Sequence, residues 1–125
     1  MREIIETKSA PSPIGPYSQA IRANGFVFVS GQIAIDPETG GVMGADIAGQ
    51  THQVMKNLLA VLHAGGSGIE KIVKTTVFLA NLDDFSRFNE IYREYLGGAR
   101  PARTTAQVTR LPKGVLIEID AVALA

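Results

Sequence analysis

The residues best suited to chemistry lie near the C-terminal end of the chain. Arg103, in Arg100-Pro-Ala-Arg103, opens a strand-like segment soon after Gly97-Gly98. An arginine there with a free fork can clamp a carboxylate through two parallel hydrogen bonds; the plain alternative is a surface cation. Glu118 and Asp120 alternate with Ile117, Ile119 and Ala121. A strand places both carboxylates on one face, together with Leu116, Val122 and Leu124. If that face is covered, the carboxylates need a cationic or hydrogen-bonding partner, and without one their pKa rises. If it is open, they meet water.

Other chemistries are poorly served. His52 and His63 are eleven residues apart in one helical segment, which separates them by about 16 Å along the axis and prevents a shared metal. The glycine clusters Gly65-Gly66-Ser67-Gly68 and Gly97-Gly98 follow helices and lack the Gly-Lys-Ser/Thr ending of a phosphate cradle; they read as helix caps. Ser30-Gly31-Gln32 lacks the Gly-x-Ser-x-Gly elbow of an activated serine. The chain contains no cysteine, which excludes a disulfide framework, a thiolate zinc site and a thiol nucleophile.

The elements that position these residues follow from periodicity. Three prolines between Ser9 and Pro16 impose an irregular, stiff loop. Gln19–Ala23 and Phe26–Ser30 flank Asn24-Gly25, the signature of a hairpin turn whose central residues need positive φ. A first helix is expected after Asp46, as N-cap, to about Ala64. Its stripe is Ile47, Val54, Met55, Leu58, Leu59 and Leu62, with Gln50, Gln53, Lys56, Asn57 and His63 mostly on the polar side. Ile72–Ala80 reads as a strand. Asp83 or Asp84 is expected to cap a second helix that buries Phe85, Phe88, Tyr92, Tyr95 and Leu96. Two closing strands, about Thr104–Thr109 and Val115–Leu124, are joined through Arg110-Leu-Pro-Lys-Gly114. A simple hairpin there pairs Thr109 with Val115 and Ala106 with Glu118. Arg103 then lies on the face opposite Glu118, and only a bulge or a site shared between subunits would unite them.

The order is β-β-β-α-β-α-β-β, and two helices can cover only one face of such a sheet. Yet both faces carry apolar residues: Phe26 and Phe28 oppose Val27 and Val29, and Ile72 and Phe78 oppose Val73, Val77 and Leu79. A second copy of the chain is expected on the open face; a long loop folded across it is the alternative. The 125 residues suit a single domain. Twelve basic against 12 acidic residues, with 46% hydrophobic content, exclude a disordered chain and disfavour a nucleic-acid binder. With no apolar run of leader or membrane-span length, a cytoplasmic protein with no membrane partner is expected.

Six motifs occur in order along the whole chain: Ile14-Gly-Pro-Tyr-Ser-Gln19, Phe28-Val-Ser-Gly-Gln32, Lys74-Thr-Thr-Val77, Asp84-Phe85 with Asn89, Arg100-Pro-Ala-Arg103 and Ile117-Glu-Ile119. Together they closely resemble the Rid (YjgF) family, and most of all its RidA branch. The resemblance implies a single Rid-family domain over 1–125 with the chorismate-mutase-like α+β fold, a mixed β-sheet with two helices on one face. It also implies a homotrimer whose sheets form a central barrel with clefts between subunits. The implied activity is hydrolysis of reactive enamines and imines, namely 2-aminoacrylate/2-iminopropanoate and 2-iminobutanoate, to 2-oxo acids and ammonia.

Carried over by position, Arg103 corresponds to the family's carboxylate-binding arginine and Glu118 to its acidic residue on the last strand. Tyr17 is the tyrosine of the Gly-Pro-Tyr motif and completes the catalytic set. Ser30, Gly31, Asn89, Arg103 and Thr105 correspond to substrate-binding positions. Thr105 stands where many members have cysteine, and Asp120 where Glu is commoner. No cofactor and no metal are implied, since the imine is already electrophilic. The alternative is a non-catalytic carboxylate-binding or regulatory trimer using the same cleft. Ribonuclease activity, attached to some relatives, fits poorly with the balanced charge and the lack of a basic stretch with interleaved aromatics.

Overall fold

A computed structural model describes all of residues 1–125. The strands are β1 (Arg2–Ile5), β2 (Ala20–Ala23), β3 (Phe26–Gln32), β4 (Ile72–Leu79), β5 (Ala102–Gln107) and β6 (Ile117–Leu124). The helices are α1 (Ile47–Ala64) and α2 (Phe85–Leu96). The strands form one mixed sheet in the order β1-β2-β3-β6-β4-β5. The β2–β3 hairpin turns at Asn24, with φ 51°, and Gly25, with φ 80°, as an Asn-Gly turn requires. The Asp46 carboxylate accepts from the Gly49 N–H at 2.9 Å and caps α1.

The two closing strands do not form the expected hairpin. β5 runs parallel to β4 at the sheet edge, with Arg103 opposite Thr75 and Thr105 opposite Val77. β6 instead lies between β3 and β4, antiparallel to both. The reason is burial. β6 alternates Ile117, Ile119, Ala121 and Ala123, all at most 2% exposed, and belongs at the sheet centre. β5 (Ala-Arg-Thr-Thr-Ala-Gln) has no strongly apolar face, which suits an edge.

Both helices cover the same face, onto which Val27, Val29, Val77, Leu79 and the inward residues of β6 project. One strand face departs from strict alternation. Ile72 lies opposite Ala123 and Lys74 opposite Val122, so Val73 is an extra residue in a bulge. Ile72 is thereby buried with Val77 and Leu79, while Val73 turns outward, contrary to the simple two-residue reading.

Two further expectations are corrected. Gln50 and Asn57 are buried in α1, because their amides satisfy backbone groups of the flanking loops. Asn57 donates to the Ile33 and Ile35 carbonyls, and Gln50 accepts from the Leu116 N–H. The entry to α2 is capped earlier than Asp83 or Asp84. Asn81 accepts from the Asp83 N–H at 2.9 Å and starts a short 3-10 turn, Leu82–Asp84, that feeds the helix. The stripe of α2 includes Ile91, while Tyr95 is only partly buried.

The second face of the sheet carries no helix. Ile4, Phe28 and Leu124 are 45–56% exposed there, and Phe26, Phe78 and Val122 are half-buried. No helix is long and apolar enough to cross a membrane.

Candidate functional site

Arg103 projects from edge strand β5 onto the helix-covered side, where α2 holds it. Its guanidinium lies 4.9–5.5 Å from the ring centroids of Phe85, Phe88 and Tyr92, close enough for cation–π attraction. Asn89, within the same helical turns, accepts from Arg103 Nη1 at 2.7 Å. The chain's two ion pairs are Arg22–Glu3 and Arg87–Glu90, so Arg103 has no carboxylate partner. Most of its five N–H donors are unspent. The Tyr92 hydroxyl is hydrogen-bonded to Thr75 Oγ1 at 2.6 Å. Burial raises the Tyr92 pKa against the opposing pull of that bond and of Arg103, so the ring stays neutral beside the cation. Sequence reasoning read Phe85, Phe88 and Tyr92 only as a buried stripe. The signal that could have joined them to the site is that Asn89, already matched by motif, lies one turn from Phe85 and can accept from an arginine.

Thr105 lies two residues on along β5, on the same face. Its hydroxyl is buried without a hydrogen-bond partner.

Glu118 lies on the opposite face of the sheet, in the row of Phe78. It is half-buried and has no cation within ion-pair distance. Its pKa is raised, first by burial and then by the charge of Asp120; this is the outcome expected of a covered carboxylate lacking a partner. Between Val29, paired with Ala121, and Gln32, paired with Ile119, β3 bulges and presents Ser30 and Gly31. The Glu118 carboxyl folds against Gly31. A Cβ on that glycine would clash with Glu118 Oε2, so the absent side chain makes the space the carboxylate occupies.

The proline-rich loop is fixed beside this bulge by one buried residue. Gln19 accepts from the Thr7 N–H at 2.7 Å and donates to the carbonyls of Thr7, Ala10 and Pro11 at 2.9–3.2 Å. Ser30 donates its hydroxyl to the Ser18 carbonyl at 2.6 Å, tying the bulge to the loop. Tyr17 projects from that loop, 54% exposed, and its hydroxyl accepts a long 3.4 Å bond from the Ile14 N–H. Tyr17 and Gly31 both line a cleft of about 310 Å³ that extends to Asp36 and Lys113.

The sequence-derived site residues therefore fall into two groups. Tyr17, Ser30, Gly31 and Glu118 gather at the β3 bulge; Asn89, Arg103 and Thr105 gather under α2. Arg103 and Glu118 are two strands and three β4 residues apart, about 10 Å in each direction, with side chains on opposite faces. The opposition expected from a hairpin is real, although the pairing that produces it is different.

The sequence model of the family described as Endoribonuclease L-PSP matches residues 7–125. The chain belongs to this family, also known as YjgF or Rid, and has its chorismate-mutase-like fold. YyfA of Yersinia pestis, a Rid-family protein of known structure, is 51% identical, with a TM-score of 0.97 over 100% of both chains. Human 2-iminobutanoate/2-iminopropanoate deaminase is 44% identical over 99% of this chain and 90% of its own length. Escherichia coli TdcF, solved with bound serine, is 40% identical with a TM-score of 0.94, covering 98% of each chain. The relatives of this chain thus include imine deaminases.

Proposed function

We propose that this protein hydrolyses 2-imino acids, such as 2-iminopropanoate and 2-iminobutanoate, to 2-oxo acids and ammonia. The observation that carries the reading is the pair of uncompensated charges: a pre-positioned Arg103 with free donors, and a half-buried Glu118 with a raised pKa. Supporting it are the kinship with the human deaminase and the serine, a small carboxylate, held by TdcF.

The two groups face away from each other within one chain, so the reading needs a second copy. A homotrimer that packs the apolar open faces together would set Arg103, Asn89 and Thr105 of one subunit against the β3 bulge and Glu118 of the next. Arg103 then holds the substrate carboxylate in a two-pronged pair, leaving the adjacent C=N carbon fixed for attack. Glu118 takes a proton from water as its oxygen bonds to that carbon. A proton returned to nitrogen lets the carbinolamine expel ammonia as the C=O forms. Tyr17 orients the water or substrate, and the Ser30–Gly31 bulge shapes the wall of the cleft. Balance requires only water.

The test is ammonia release from 2-aminoacrylate generated in situ by a serine/threonine dehydratase. Wild type accelerates it and Arg103→Ala abolishes the acceleration; unchanged release by the variant would sink the role of Arg103. Stoichiometric binding of 2-oxo acids without turnover would support the regulatory reading instead.

A further inference from the structure

Arg103 is not alone on its side of α2. A second cleft, of about 210 Å³, is lined by Arg93, Arg100 and Arg103 together with Asn89, Gly97 and Pro101. Neither ion pair of the chain involves any of these arginines, so three arginines without an ion-pair partner line one small space. The carboxylates of α2 do not answer them: Glu90 pairs with Arg87, and Glu94 forms no ion pair. Arg93 by itself has a simpler explanation, since a cation in the last turn of a helix complements the carbonyl end. Arg100 does not.

Arg100 has φ 43°, the left-handed region that favours glycine. The following Pro101 further restricts its backbone. Backbone strain of this kind concentrates where a side chain is used.

We infer that the cleft takes a second anionic group of the substrate, so that the preferred substrates are 2-imino acids whose side chain ends in a carboxylate. Arg103 holds the carboxylate next to the imine carbon, and Arg100, assisted by Arg93, holds the distal one. The inference rests on the deaminase reading of Arg103 and adds a specificity determinant to it.

The test is calorimetric titration with the product analogues 2-oxobutanoate and 2-oxoglutarate, on wild type, Arg100→Ala and Arg100→Gly. Wild type should bind 2-oxoglutarate at least tenfold more tightly, and both variants should bring the ratio of the two affinities below about twofold. Arg100→Gly relieves the strained backbone, so its Tm should equal or exceed that of wild type, which separates loss of recognition from loss of fold. Equal affinity for the two acids in wild type, or a preference that survives in Arg100→Gly, overturns the inference and leaves the deaminase reading intact. Failure of both acids to bind wild type overturns the reading of Arg103 and this inference with it.

Discussion

The two faces of the sheet handle an uncompensated charge in opposite ways. Under α2, the Arg103 guanidinium is held by three aromatic rings and one amide and has no carboxylate partner. At the β3 bulge, the Glu118 anion is partly removed from water and set beside another carboxylate, so its charge is disfavoured. The first arrangement makes a permanent cation fit for binding. The second raises the proton affinity of a carboxyl, a property that suits the general base proposed here. On the proposed reading, binding and proton transfer are divided between faces, and one copy of the chain holds only half of each site.

Glu118→Gln should break the comparison most severely. It keeps the shape of the bulge and removes the base, and kcat in the coupled deamination assay should fall about 100-fold or more. Stability should move the other way. A carboxyl whose pKa is raised by folding supports the fold below its ordinary value of 4.5 and loses that support as pH rises through the raised value. The Gln variant lacks this loss, so its urea midpoint relative to wild type should improve between pH 4.5 and neutrality. A variant as active as wild type would remove Glu118 from the chemistry.

Gly31→Ala attacks the same face through geometry. The backbone at Gly31 does not require glycine, since its φ is not among the positive ones. The added methyl would meet the end of the Glu118 side chain, not backbone. The carboxylate must swing away while the sheet stays intact. The expected loss in kcat is between about tenfold and 100-fold, with a denaturation midpoint close to wild type. A large fall in midpoint instead would mean that Gly31 serves folding and not the placement of Glu118.

The sequence revealed the elements better than their pairing. The order of strands and helices, the Asn24-Gly25 turn and the start of α1 at Asp46 follow from local patterns and appear where expected. The partner of β5 does not, because Ala102–Gln107 carries too little apolar contrast to declare its neighbour, and short sequence separation misleadingly favoured β6. The bulge at Val73 was hidden for a related reason: a pattern of period two cannot register an inserted residue. At the site, motif likeness singled out Arg103, Glu118, Tyr17 and Gly31. The aromatic cradle of Arg103 and the tether formed by Gln19 needed the three-dimensional arrangement, since each joins residues that look like ordinary core or loop.

Asp120→Asn sharpens the electrostatic half of the comparison. Asp120 is the lesser cause of the raised Glu118 pKa, after burial. Removing its charge should move the acid limb of the kcat/KM profile to lower pH without abolishing turnover. An acid limb that stays in place would mean that burial alone sets the behaviour of Glu118.

The smallest effect is expected on the other face, at Thr105. Its hydroxyl is buried and unpaired, an arrangement that costs free energy unless something bonds to it. Thr105→Val keeps the shape and deletes the orphan, so the free protein should gain about 1 kcal/mol, or roughly 3–5 °C in Tm. The variant also separates two roles for this face. If the hydroxyl serves only the fold, Val at this position leaves KM where it was. If it completes the substrate cradle begun by Arg103 and Asn89, the thermal gain comes with a rise in KM of about threefold to tenfold, the value of one hydrogen bond lost from a bound ligand. A fall in Tm would refute the orphaned hydroxyl itself, and with it the picture of a carboxylate-binding wall that leaves one polar group waiting for substrate.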